Sequence, residues 1–245
     1  MLLAAAALAG AALPRTNGAL SWQRREAAWE RAWFICDGID RPAIHVVGAP
    51  EAGSRLTVWS YAKAGFRTTR TRYVFGRDDP GMSQLNTPLY ASADSTALAG
   101  SFTSFVPAVL PDPASATTGT FTSLRLDAQA TRCRWLPNTR IMLFTPKRSV
   151  VVTREGGRYV YRSFDYGSRL RVEATGWSTT PSLILKGGRS LRPAAGASAY
   201  TFVNGTTVYR VSASNDPRAP GATLTVRRRG RTLLTETAAG YTVAR

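Results

Sequence analysis

Residues that bind metals or act as general bases are scarce in this chain. Its 245 residues include one histidine, His45, and two cysteines, Cys36 and Cys133. A structural zinc site takes four ligands, usually cysteine and histidine at short spacings, and the sequence contains no C-x-x-C pair. The composition therefore argues against a zinc centre, and we expect no metal or other cofactor.

Catalytic motifs are also missing from the sequence. It contains neither G-x-S-x-G nor a glycine-rich phosphate loop. His45 lies in the middle of a strand-like segment with no obvious nucleophile or orienting acid, which favours a structural or surface histidine. The close carboxylate pairs, Asp37 with Asp40 and Asp78 with Asp79, lie in turn-like sequence without calcium-loop spacing. We therefore predict that the protein is not an enzyme.

Long apolar runs are limited to the N-terminus. Residues 1–13 are Met, Leu, Ala and Gly only, and Pro14 follows. This length is typical of a signal peptide, although no Lys or Arg precedes the run. We predict a signal peptide over residues 1–19 and an exported protein of the periplasm or extracellular space, with a buried N-terminal helix as the alternative. No other segment approaches 18 apolar residues, so we expect no transmembrane span in the mature chain.

The two cysteines fit an exported chain. Cys36 and Cys133 form an even pair, and disulfides persist in oxidising compartments. We predict a disulfide between them, with two separate buried thiols as the alternative.

The remaining pattern is typical of antiparallel β-structure. Residues 21–34 predict a short helix, because Ser21 can cap it and Trp22, Trp29 and Trp33 recur at helical spacing. Turn residues then recur every 8–12 positions. Residues 76–100 are interpreted as a long loop. The predicted strands are residues 43–47, 55–61, 66–75, 101–110, 120–127, 141–145, 149–154, 158–164, 168–174, 182–186, 200–203, 206–213, 222–229 and 232–237.

These elements predict a mainly β fold, with antiparallel sandwich or barrel-like sheets and one short N-terminal helix after the signal segment. We expect two regions beyond the signal peptide. Residues 20–139 would hold the helix and a disulfide-closed β region. Residues 140–245 would form an arginine-rich antiparallel β module.

Charge distinguishes the two regions. Residues 140–245 carry 18 Lys/Arg against 5 Asp/Glu, whereas residues 1–139 carry 14 against 10. Several strands of the second region place arginine on the face away from their apolar residues. If these strands pair, their arginines form a basic surface, although a solvated face that only aids solubility is an alternative. The predicted binding residues are Arg158, Arg162, Arg169, Arg171, Arg227, Arg228, Arg229 and Arg231.

The predicted partner of this surface is anionic envelope material: lipid headgroups, lipopolysaccharide or acidic glycans. Export argues against nucleic acid as a partner. Two alternatives stay open. One is an envelope hydrolase acting on a glycan or ester, with carboxylates such as Asp37 and Asp40 in its site. The other is a subunit of an exported assembly whose basic face meets an acidic protein.

Overall fold

The computed structural model describes residues 19–168, 171–191 and 196–244, which form one large antiparallel sheet of 19 strands. The mainly β prediction is thus confirmed. The predicted signal segment, apart from Ala19, lies outside the described residues. The strands are β1 Leu20–Arg25, β2 Ala28–Asp37, β3 Ala43–Gly48, β4 Arg55–Ala62, β5 Thr68–Phe75, β6 Asp79–Pro80, β7 Gln84–Tyr90, β8 Leu98–Phe105, β9 Phe121–Leu126, β10 Gln129–Arg132, β11 Thr139–Phe144, β12 Arg148–Glu155, β13 Arg158–Asp165, β14 Leu183–Leu191, β15 Ala197–Asn204, β16 Thr207–Ser214, β17 Ala222–Arg228, β18 Arg231–Thr237 and β19 Gly240–Val243.

The predicted N-terminal helix is wrong. Residues 20–37 form the β1–β2 hairpin, in which Arg25 pairs with Ala28 across a two-residue turn. Glu26 in this turn has a φ of 53°, a left-handed conformation that only a few per cent of non-glycine residues adopt. The two turn residues are Glu26 and Ala27, so the sequence has no glycine or asparagine here that would mark a hairpin.

Strands β2 to β5 and β7 to β10 pair in succession and return to their start. After β10, Cys133 forms a β-bridge with Gly38, and the Arg134 amide donates to the carbonyl of Asp37 at 2.8 Å. The Cys36–Cys133 disulfide crosses this seam, which confirms the predicted pairing. Both cysteines belong to the apolar core enclosed by these strands, together with Trp33, Phe34, Phe102 and Phe121 among others.

Strands β1 and β11 to β19 enclose a second core. β1 pairs with β19, β19 pairs with β11, and β11 to β18 follow one another as antiparallel neighbours. Tyr161, Phe202 and Tyr241 are fully buried at its centre. A third cluster joins the two cores where Tyr61 of β4 packs edge-on against Phe144 of β11, with ring centroids 5.3 Å apart.

Two further predictions about local structure differ from the observed fold. Residues 76–100, interpreted as a loop, contain β6, β7 and the beginning of β8. The described part of the predicted strand 168–174 holds only an isolated bridge between Val172 and Thr179. None of the helices within the described residues is long and apolar enough to cross a membrane.

Candidate anion-binding face

The predicted arginines of β13 are engaged with an acid or lie beside it. The Arg162 guanidinium donates to both carboxylate oxygens of Glu155, at 2.7 and 3.2 Å, and to the Thr153 hydroxyl at 2.8 Å. Burial would raise the pKa of Glu155, but these contacts from Arg162 and Thr153 outweigh it and lower that pKa. Arg158 is exposed and is the cross-strand partner of Glu155. Glu155 therefore compensates the charge of Arg162, whereas Arg158 lies at the exposed end of the strand with no ion pair to a described acid.

Of the next two predicted residues, only Arg171 lies in the described part of the chain. Arg169 lies outside the described residues. Arg171 is exposed beside the Val172–Thr179 bridge, where its carbonyl accepts from the Thr180 amide at 2.7 Å. The described contacts do not bring Arg171 together with the other predicted arginines.

The last four predicted residues lie together at one hairpin. Arg227 and Arg228 end β17, Arg231 begins β18, and Arg229 with Gly230 forms the turn between them. Both turn residues have positive φ, 47° and 80°, as a type I′ hairpin turn requires. All four arginines are exposed.

Arg227 belongs to a larger basic surface on the outward side of strands β14 to β18, which we term the outer basic face. Two further exposed arginines share this face, Arg189 of β14 and Arg210 of β16. Register links them, because Thr201 of β15 is the cross-strand partner of both arginines. Since adjacent strands lie about 4.8 Å apart, these two arginines are separated by about 10 Å across the sheet.

Alternation fixes the direction in which this face points. The intervening residues Phe202, Val211 and Leu224 are buried in the second core, so their neighbours along each strand face outward. An open groove of about 390 Å³ runs over this surface. Its lining combines Arg210 and Arg227 with four hydroxyl and two aliphatic side chains: Thr201, Ser212, Thr223, Thr225, Leu191 and Val208.

The arginines of the outer basic face are electrostatically uncompensated. Strands β14 to β18 contain a single acid, Glu236, which points inward, where it accepts from the Thr145 hydroxyl at 2.8 Å and pairs with Arg148. Within the described residues, the guanidinium groups of Arg189, Arg210 and Arg227 form no ion pair. Their positive field is therefore available to an external anion.

Sequence reasoning missed Arg189 because the predicted strand ended at residue 186, and a β-bulge further along β14 would have misdirected a longer one. Simple alternation from the inward Leu183 and Leu185 would place residue 189 inside. Gly187 is an extra residue in β14, with a φ of 77°, and it reverses the alternation so that Arg189 faces outward. Gly188 then faces the core, where a Cβ atom would lie only 2.1 Å from the Phe202 ring.

Arg210 could have been found from the sequence. In residues 206–213 it alternates with Tyr209 and Val211, and this pattern already places it opposite the apolar residues. No run of arginines surrounds Arg210 to draw attention to it, and only the sheet register shows that it adjoins Arg189 and Arg227.

The two carboxylates of the hydrolase alternative occupy different environments. Asp37 is 1% exposed and lies between Lys63 Nζ at 2.6 Å and Arg134 Nε at 2.7 Å. Asp40 is partly exposed and pairs with Arg132 at 3.2 Å. Burial would raise the pKa of Asp37, but the two cations outweigh it and lower the pKa to about 2. The Asp37 carboxylate is thus ionised and enclosed, out of reach of an external substrate.

His45 lies beside this ionic cluster on β3. Its Nδ1 lies 2.8 Å from the Ser60 hydroxyl, and its Nε2 lies 3.3 Å from the Thr131 hydroxyl. Burial, reinforced by the positive charge of Lys63, lowers the pKa of His45 to about 4. The imidazole is therefore neutral in the folded protein at neutral pH.

We expect stability to fall between pH 6.5 and 4 because of His45. The unfolded chain protonates this residue near pH 6.5, whereas the folded chain resists protonation until about pH 4. The loss from pH 7.5 to 5 should be about 2 kcal/mol, measured by urea unfolding. Because the chain has no other histidine, the His45→Gln variant should lose most of this slope. An equal slope in both proteins would contradict the assignment.

The described part of the chain holds no cluster of three or more His, Cys, Asp or Glu side chains arranged to bind a metal ion. Comparisons with protein families, with curated proteins and with solved structures give no match to this chain. The functional proposal therefore rests on the geometry and charge of the outer basic face.

Proposed function

We propose that this is an exported, non-catalytic protein that binds an anionic envelope component on its outer basic face. The observation that carries the proposal is that Arg189, Arg210 and Arg227 share one outward sheet face and that none of them pairs with a described acid. Arg210 and Arg227 line the groove together with four hydroxyl side chains. Guanidinium groups bind phosphate, sulfate and carboxylate through paired hydrogen bonds, and the neighbouring hydroxyls can donate further bonds to the same oxygens.

Two features of the chain support an envelope location. The apolar run of residues 1–13 is typical of a signal peptide. The Cys36–Cys133 disulfide is a bond that persists in oxidising compartments. An anion met there would be part of a surface or a polymer, and several arginines spread over a sheet suit such an extended ligand.

Removing the three arginines should weaken binding to a polyanion by about tenfold or more. Exposed charge contacts contribute roughly 0.5–1 kcal/mol each, so three together amount to one to two powers of ten in affinity. The test compares the wild type with the variant Arg189→Gln/Arg210→Gln/Arg227→Gln on immobilised dextran sulfate. We expect the variant to elute at lower NaCl concentration, because salt screens exposed charges.

A matched control separates the face from net charge. Arg41, Arg67 and Arg77 are exposed arginines of the first region. Their triple replacement by glutamine removes the same charge and should leave elution close to wild type. Equal losses in both triple variants would show that net charge, rather than the outer basic face, holds the polyanion.

A further inference from the structure

One end of the outer basic face combines arginines with exposed aliphatic side chains. Val203 is 65% exposed, Val208 38% and Leu233 61%. Val203 and Val208 are cross-strand partners, and Val208 is also the partner of Arg227. Leu233 is the extra residue of a β-bulge, next to the residue of β18 that pairs with Arg227. Aliphatic and cationic groups thus adjoin one another.

The two hairpins that carry these side chains end side by side. The β15–β16 turn contains Gly205 and Thr206, and the β17–β18 turn contains Arg229 and Gly230. The Arg229 amide donates to the Thr206 carbonyl at 3.2 Å, which joins the two tips. We call residues 203–208 and 227–233 together the hairpin end; they contain four arginines and no acid.

This combination distinguishes between kinds of anion. A water-soluble acidic polymer gains from the arginines but has no apolar part to cover the valines and the leucine. A bilayer with anionic lipids offers phosphate groups at its surface and acyl chains just beneath them. Side chains that project from the tips of two hairpins can reach both layers without any rearrangement of the sheet.

Resting on the proposed function, we propose that the anionic component is a lipid bilayer and that the protein docks on it through the hairpin end. Arg227, Arg228, Arg229 and Arg231 contact the lipid phosphates, while Val203, Val208 and Leu233 enter the acyl boundary. Stable attachment to membranes commonly needs two such contributions, since a single one gives only marginal, reversible binding. The groove beyond the hairpin end would then hold further headgroups.

The experiment is sedimentation with vesicles of phosphatidylcholine alone and of phosphatidylcholine with 30% phosphatidylglycerol, at about 0.1 and 0.5 M NaCl. The test variant is Val203→Thr/Val208→Thr/Leu233→Thr, in which all three strand positions carry a β-branched side chain that strands accept well. The control variant, Leu98→Thr/Val109→Thr/Val172→Thr, changes one leucine and two valines that are 67%, 50% and 40% exposed elsewhere.

We expect the wild type to bind the anionic vesicles strongly at low salt and partly at high salt, and the neutral vesicles weakly. The test variant should bind anionic vesicles about tenfold less tightly and be released fully at high salt, because each apolar group removed from the acyl boundary weakens partitioning. Its elution from dextran sulfate should match the wild type, and the control variant should match the wild type throughout.

The possible failures are distinguishable. If the test variant binds anionic vesicles like the wild type, the aliphatic side chains do not enter the bilayer and the lipid inference is wrong. If the protein binds dextran sulfate but no vesicle, its ligand is a soluble acidic polymer, and only the proposed function survives. If the wild type binds neither dextran sulfate nor anionic vesicles, both the proposed function and the lipid inference are wrong.

Discussion

Replacing Asp37 by asparagine is expected to lower the free energy of unfolding by about 3–5 kcal/mol. The substitution keeps the shape of the side chain but leaves Lys63 and Arg134 buried, adjacent and without their shared anion. Arg134 is held in place by the Ser178 and Thr179 hydroxyls, at 2.9 and 2.8 Å, so it cannot easily move out to water. Urea unfolding at pH 7 measures the loss.

Two control variants test whether the loss of stability comes from the unpaired buried cations. Lys63→Met should cost less than Asp37→Asn, because it leaves a neutral Asp37–Arg134 pair rather than two unpaired cations. Asp94→Asn, at an exposed carboxylate, should change stability by no more than about 0.5 kcal/mol. If Asp37→Asn cost no more than Asp94→Asn, the ionic cluster would not stabilise the fold.

The acid limb of the stability curve should report on the same carboxylate. The pKa of Asp37 is about 2 in the folded protein against 3.8 ordinarily. Its contribution is therefore fully present above about pH 4 and is lost as the pH falls toward 2. We expect the Asp37→Asn variant to lack this component of acid unfolding.

The tryptophan spacing near the N-terminus shows how a sequence pattern can be compatible with two folds. Trp22, Trp29 and Trp33 fit one helical face, but in the hairpin they are divided between two cores. Trp33 lies in the disulfide-linked core, whereas Trp22 and Trp29 pack in or against the other. Spacing alone does not reveal this division, and the turn at Glu26 lacks the residues that usually mark a hairpin.

The loop prediction for residues 76–100 was wrong for the opposite reason, because this segment contains many turn-forming residues although it forms strands. Asp78 to Gly81 and Pro88 favour a loop, yet β7 runs from Gln84 to Tyr90. Pro88 is tolerated because it lies just beyond the last pair of the β5–β7 ladder, in which Leu89 faces Phe75. In the last quarter of the chain, by contrast, alternation predicts strands β15 to β18 well, because the β15–β16 and β17–β18 hairpins are local in sequence.

The site was only partly predictable. Arg227 to Arg231 stand out as a run, and alternation directs Arg227 outward. Arg189 shares a sheet face with Arg227 only because of the bulge at Gly187, which a single sequence does not reveal. The partners of Asp37 lie 26 and 97 residues away in the chain, so its short sequence context suggested only a turn.

Loss of the Cys36–Cys133 disulfide should lower the free energy of unfolding by about 4–5 kcal/mol. The bond joins residues 97 apart in sequence, and in the chain-entropy model the gain grows with the loop that is closed. It crosses the seam beside the Asp37–Arg134 ion pair, where few backbone hydrogen bonds join β2 to the chain after β10. Urea unfolding with and without dithiothreitol measures the effect.

The dependence on urea concentration distinguishes the mechanism of this loss. If the cross-link acts by restricting the unfolded chain, reduction should expand that chain and increase the slope m as well as lower the midpoint. The variant Cys36→Ser/Cys133→Ser should resemble the reduced wild type and be insensitive to dithiothreitol. A lower midpoint with an unchanged slope would instead point to packing of the disulfide in the folded core, and equal midpoints in the oxidised and reduced wild type would refute the predicted stabilisation.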